Sequence, residues 1–165
     1  MLRTARLYLR NLCHTDVDTL FDYRNDSRCN LYQRYEDTSK AYLQKFVQNY
    51  SRSTFLSKEE EQHYAIVRNT KCEMIGDFSV FFSEKDNCFT LGITIAPPFQ
   101  KQGYAHELLK EVVSQIQNHY PSVDIVALIE KDNAKSISLF KKLARRKILC
   151  KRFSTKSRIS HYQCA

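Results

Sequence analysis

The strongest periodicity in the chain begins at Ala105. With Leu108, Leu109, Val112, Val113 and Ile116 it places six apolar side chains at offsets 0, 3, 4, 7, 8 and 11, one continuous stripe along an α-helix. Residues 87–96, before it, are rich in Phe, Thr, Leu and Ile and stop at Pro97-Pro98, because proline has no N–H to give a ladder. Residues 124–129, after it, form an apolar run too short to be a helix. A helix with so wide a stripe, set between two strands, buries that stripe by packing on a sheet.

The remaining elements follow from weaker periods. Residues 6–12 alternate around Leu7 and Leu9 like a strand, and Thr15 or Asp16 can cap a helix carrying Val17, Leu20 and Phe21 inward. Asp37-Thr38-Ser39 can open a second helix with Leu43, Phe46, Val47 and Tyr50 on one face. Residues 26–35 between them read as a loop, too polar for a core, whose Tyr32 and Tyr35 are candidates for the wall of a substrate site. Residues 63–68, 73–83 and 87–96 read as an antiparallel meander, Asn133 as the cap of a helix carrying Ile137, Phe140 and Leu143 inward, and residues 148–153 and 159–164 as two closing strands. The expectation is a mixed α/β (α+β) fold: one domain over residues 1–165, its central, mostly antiparallel twisted sheet of six to seven strands flanked by about four helices.

Composition narrows the class. With 42% hydrophobic residues, three Gly and three Pro among 165, the chain has the apolar matter to fold and none of the bias of a disordered or fibrous sequence. No apolar run approaches the ~20 residues that span a bilayer, and the three arginines in residues 1–10 interrupt any signal-like stretch, so a cytoplasmic location without membrane association is expected. The six cysteines are scattered, with no CxxC pair and no histidines at ligand spacing; reduced thiols and no metal site are expected. Net charge is +8, and ten of the 26 Lys and Arg fall after Asp132, where no acidic residue occurs. Such a block attracts anions, whether a nucleic acid, an anionic cofactor or an acidic surface, or is simply a solvated face.

Chemistry concentrates at Gln100-Lys101-Gln102-Gly103-Tyr104-Ala105, between the proline-terminated strand and the strongest helix. A glycine in such a turn lets the backbone approach a ligand and point successive N–H groups into one concavity, and the helix dipole favours an anion there. The turn lacks the GxxxxGK[ST] pattern of nucleotide hydrolases and has only one of the three glycines of a dinucleotide fingerprint. It does match the Q/R-x-x-G-x-G/A element of the GCN5-related N-acetyltransferases (GNAT). Further segments resemble the RimJ/RimL-like branch of that superfamily: Thr4-Ala5-Arg6-Leu7-Tyr8-Leu9-Arg10, the pairs Ile75-Gly76 and Leu91-Gly92, and Asn133-Ala134-Lys135-Ser136 followed by Leu143.

The resemblance implies a GNAT-like sheet and transfer of an acetyl group from acetyl-CoA to a primary amine, a protein N-terminus or a small molecule, by direct attack in a ternary complex. It implies that Gln100, Lys101, Gln102, Gly103, Tyr104 and Ala105 bind the cofactor's pyrophosphate. Main chain of Ile93, Thr94 and Ile95 would bind the pantetheine arm, with Asn133 beside it. Two departures stand out. Phe140 occupies the position of a proton-donating Tyr, leaving Ser136 as substitute acid, and Thr90 stands where relatives often have Glu, leaving His63, Glu61 and Asp77 as candidate bases. These departures keep open a catalytically weakened acyl-CoA-binding protein or a basic RNA- or ribosome-associated module on the same fold. A monomer or homodimer is expected.

Overall fold

The computed structural model describes residues 1–33, 35, 37–143 and 148–153. In chain order they form β1 (Leu7–Asn11), α1 (Val17–Arg24), α2 (Ser27–Asn30), α3 (Lys40–Asn49), β2 (Gln62–Arg68), β3 (Met74–Ser83), β4 (Cys88–Ile95), α4 (Tyr104–His119), β5 (Asp124–Glu130), α5 (Ala134–Leu143) and β6 (Ile148–Phe153). The six strands make one sheet in the order β1-β2-β3-β4-β5-β6. β1 to β4 pair antiparallel and β5 and β6 add in parallel, each after a helical crossover, so the class is the mixed α/β one expected.

Helices cover both faces. Leu108, Leu109, Val112, Val113 and Ile116 of α4 are fully buried against Leu7, Leu9, Phe78, Phe89 and Ile125 of the sheet, with Phe140 and Leu143 of α5 in the same cluster. Each such side chain is worth roughly 1.5–3 kcal/mol on burial, so docking of the stripe, more than intrinsic propensity, fixes α4. On the opposite face Val17, Leu20 and Tyr23 of α1 and Leu43 and Val47 of α3 pack over Ala65 and Val67 of β2.

One reading needs correction. Residues 26–35 are not all loop: Asp26 accepts a hydrogen bond from Arg28 N–H at 2.8 Å and starts the single turn α2, which buries Cys29 in the second cluster. A four-residue helix is too short to show a period, so the sequence read as irregular. Burial pushes the Cys29 thiol up to about 11, which keeps it protonated and non-nucleophilic at neutral pH. The strand expected over residues 159–164 and the basic side chains of Arg145, Arg146, Lys147, Lys151, Arg152, Lys156 and Arg158 lie outside the described residues. Among the described residues, no helix is long and apolar enough to cross a membrane.

Candidate active site

The sheet opens at its centre. β4 and β5 pair only at Cys88↔Asp124, Phe89↔Ile125 and Thr90↔Val126, after which β4 stays with β3 while β5 continues beside β6. Ala96 N–H donates to the Ile75 carbonyl at 2.8 Å, so strand alternation turns the main chain of Thr94 and Gly92 toward β3 and that of Ile93 and Ile95 into the gap. The Ile95 carbonyl accepts from Gln100 Nε2 at 2.9 Å. Among the described residues, the main-chain donor and acceptor of Ile93 have no partner across the gap.

Gly76 sets this geometry. A Cβ at residue 76 would overlap the Thr94 carbonyl oxygen and lie 3.0 Å from the Ile95 Cα, so only glycine allows β4 to lie this close to β3. Gly76→Ala is expected to cost about 1–3 kcal/mol, the range of overpacked cores, read as a lower midpoint in urea unfolding. It should also displace the strand edge at Ile93 and Ile95.

The bend after β4 ends in two left-handed residues, Lys101 at φ 61° and Gly103 at φ 83°, with Gly103 as the N-cap of α4. Neither glutamine of the bend reaches outward. Gln100 holds the Ile95 carbonyl, and Gln102 Nε2 donates to the Pro98 carbonyl at 3.0 Å. Among the described residues, the main-chain N–H groups of 101–106 donate to no other group of the chain. Six donors without a partner among the described residues therefore lie at the positive end of a sixteen-residue helix, where the dipole favours negative charge.

The flank of this bend is pinned by the segment just before β1. Glu107 accepts from Thr4 Oγ1 at 2.6 Å, Arg6 N–H at 2.9 Å and Arg6 Nε at 2.6 Å, while Arg6 Nη1 donates to the Gln102 carbonyl at 3.1 Å. Burial works against the Glu107 charge, but these hydrogen bonds outweigh it and hold the carboxyl below its ordinary range. The one acidic residue in the first turn of α4 is thereby ionised and paired.

On the α1/α3 side of β4 lies a cavity of about 560 Å³. Ile93, Thr94 and Gly92 of β4, Asp77 and Ser79 of β3, Glu61 and His63 of β2, and Tyr35 after α2 line it, together with α1 and α3 side chains. His63 Nε2 lies 3.2 Å from Glu61 Oε1, and Tyr50 Oη donates to Glu61 Oε2 at 3.4 Å. The hydrogen bond from His63 holds the Glu61 carboxyl below its usual range, whereas burial and Glu61 push the Tyr50 phenol up. The His63 ring packs against Phe46 and Tyr50 at 4.8 and 4.3 Å, and its Nδ1 is buried without a partner.

Asp77 is differently placed. It accepts from Tyr23 Oη and from Arg24 Nη2, the latter at 3.4 Å, and is buried. Burial and Asp77 together push the Tyr23 phenol well up, so that hydroxyl stays a neutral donor. Asp77 is therefore spoken for twice, which disfavours it as a free base.

The other expected residues separate. Asn133 Oδ1 accepts from Ser136 N–H at 3.1 Å, the ordinary capping bond of α5, and Ser136 does not line the cavity. Tyr32 does not line it either, whereas Tyr35 does. Phe140 is 4% exposed within the apolar cluster of α4 and α5. Phe140→Tyr is expected to lower stability by roughly 1–3 kcal/mol, the cost of burying a hydroxyl, measured by thermal melting; an unchanged melting temperature would show room and a partner for it. Phe46 and Tyr50 read from the sequence simply as the inward face of an amphipathic helix, and Arg24, at a helix end, carries no local signal of burial.

No curated protein sequence matches the chain. Solved structures do. The chain is similar to a GNAT family acetyltransferase from Bacillus anthracis at 16% identity and TM-score 0.70, over 86% of this chain and 81% of that one. It is similar to an acetyltransferase from Agrobacterium tumefaciens at 20% identity and TM-score 0.67, over 86% and 81%. A spermidine N-acetyltransferase from Vibrio cholerae, solved with CoA and spermine, aligns at 18% identity and TM-score 0.64, over 82% and 78%. These are likenesses of fold. The sequence itself matches the family model for the acetyltransferase (GNAT) domain over residues 6–144, and with the split sheet and the bend of unpaired amides beside it, the chain belongs to the GNAT acetyltransferase family.

Proposed function

We propose that the protein, a single domain over residues 1–165 of the RimJ/RimL type acting in the cytoplasm, transfers the acetyl group of acetyl-CoA to a primary amine by direct attack in a ternary complex. The observation that carries this reading is continuity along β4: the bend of unpaired amides follows it and is tied back to Ile95 by Gln100, and Ile93 on its open edge lines the cavity that holds His63.

Acetyl-CoA supplies an activated thioester when bound. The N–H groups of Lys101 to His106 hold its diphosphate, and Gln100 and Gln102 act indirectly by fixing the bend. The open donor and acceptor of Ile93 pair with the peptide-like amides of the pantetheine arm as an added strand would. A main-chain donor on that edge stabilises the negative charge developing on the thioester oxygen.

The acceptor reaches the site mostly as an ammonium, with a pKa near ~10, and must lose a proton. His63 takes it. Nδ1 is buried, so the edge of the ring that meets the acceptor is the Nε2 edge, 3.2 Å from Glu61 Oε1. No separate acid is needed for the leaving group: a thiol of pKa ~8.5 departs readily as thiolate, and the second proton shed by the amine nitrogen as the tetrahedral adduct collapses ends on it as free CoA thiol. Phe140 in place of Tyr is then compatible with turnover, and Ser136 carries no proton.

Following free CoA thiol over a panel of primary amines and N-terminal peptides tests the reading, with thiol release and an acetylated product expected. Thermal stabilisation by acetyl-CoA with no release from any amine would leave a binding protein and overturn the proposal.

A further inference from the structure

The charges lining the cavity are unequally satisfied. Asp37 accepts from Ser39 N–H at 2.7 Å and from Ser39 Oγ at 3.0 Å. Glu61 is engaged by His63 and Tyr50, and Asp77 by Tyr23 and Arg24. Among the described residues, then, every cavity carboxylate already has protein partners. The cations do not. Lys45 forms no ion pair with any described residue, and the one ion pair of Arg24 among them is the 3.4 Å contact to Asp77 Oδ2, with the Tyr23 hydroxyl as a further polar neighbour.

Arg24 is the more telling of the two. Its side chain is 5% exposed, its guanidinium lies 4.3 Å from the Phe46 ring and 4.7 Å from the Tyr35 ring, and its Nε is buried without a partner. A guanidinium offers five donors in a planar fork, and leaving buried donors unmade is costly. Aromatic rings on its faces fix the plane of the fork but satisfy no N–H. What is missing is an acceptor, and the wall of the cavity is where one can arrive. A carboxylate matches the fork in charge and geometry. A second ammonium, by contrast, would find no unpaired acid among the described residues of the lining.

We propose that the amine acceptor carries a carboxylate beside its amine, as a free amino acid does, and that Arg24, with Lys45 on the same cavity, binds that carboxylate. This rests on the acetyltransferase reading above and adds the class of acceptor to it. The zwitterion fits the cavity as a whole: its anionic end takes the spare donors of Arg24 and Lys45, and its ammonium end lies with Glu61 and His63. A volume of about 560 Å³ suits a small molecule.

The test compares acids with their carboxamides. The common α-amino acids, the matching amino acid amides and peptides beginning with Asp or Glu are each titrated into the CoA-saturated protein by calorimetry, and each is assayed for thiol release with acetyl-CoA. At least one free amino acid should bind, and react with kcat/KM about 100-fold above its amide, the weight of a buried charge-assisted contact. Arg24→Lys, which keeps the charge but loses the fork, should narrow that preference to below about tenfold. Reaction of acidic peptides in place of free amino acids, with the same dependence on Arg24, would also support the proposal, moving the carboxylate to a side chain of a protein N-terminus. Equal use of acids and amides by the wild type would overturn it, as would the absence of carboxylate-dependent binding or a preference untouched by Arg24→Lys. Carboxylate-dependent binding without thiol release would uphold this inference while removing the transferase reading.

Discussion

Gly103→Asp is expected to raise the dissociation constant of acetyl-CoA by more than about 100-fold while leaving a folded protein. At φ 83° the residue sits where a side chain costs ~1–2 kcal/mol, and a Cβ there would lie 3.4 Å from Arg6 Nη2, an ordinary contact. The backbone therefore tolerates the change at modest expense. Function does not, because an N-cap carboxylate accepts from the N–H groups of the first turn and so takes the donors that a diphosphate needs. Capping returns ~1 kcal/mol to the apo protein, which offsets much of the strain. Acetyl-CoA at a hundred times the wild-type dissociation constant should stabilise the wild type by roughly 2.7 kcal/mol and the variant hardly at all. Gly103→Ala separates the two causes, since it carries the strain without the charge and should retain most of the affinity. Unchanged binding by the aspartate variant would show that the unpaired amides of 101–106 are not the anion site.

What the sequence made legible follows from what each element depends on. α4 could be read outright because its fold signal is its own period, and all of its inward positions beyond Ala105 are fully buried. The bend could be read because a left-handed residue at the start of a helix leaves a mark, Gly103, in a chain with only three glycines. The roles of Gln100 and Gln102 could not, because a glutamine that ties its own bend and one that faces a ligand look alike in one dimension; here Gln100 ties Ile95 and Gln102 ties Pro98.

The cavity was half legible for a similar reason. Glu61 and His63 stand two apart at the start of β2, a spacing that puts both side chains on one face of a strand, and they meet. Arg24 was invisible, since an arginine at the end of a short helix normally points to water. It is buried only because the rings of Tyr35 and Phe46, from two other segments, close over it. Tyr32 and Tyr35 flank the same turn in the sequence, yet only Tyr35 lines the cavity, and nothing local distinguishes them.

His63→Ala should lower kcat/KM for the amine by about 100-fold or more, the lower end of what general-base catalysis supplies, with no change in acetyl-CoA affinity, because no residue of the bend lines the cavity that holds His63. The loss should shrink as pH rises toward ~10, since a growing share of the acceptor then arrives already neutral and needs no base. A merely structural role for the ring, filling the space between Phe46 and Tyr50, would instead give a loss independent of pH together with a lower melting temperature. Glu61→Gln sharpens the distinction. It keeps a hydrogen-bond partner for His63 while removing the charge that favours the imidazolium formed during transfer, so it should cost less than His63→Ala, and the double variant should be no worse than His63→Ala alone. Additive losses in the double variant would mean that the two side chains act separately and that the proton leaves the amine by another route.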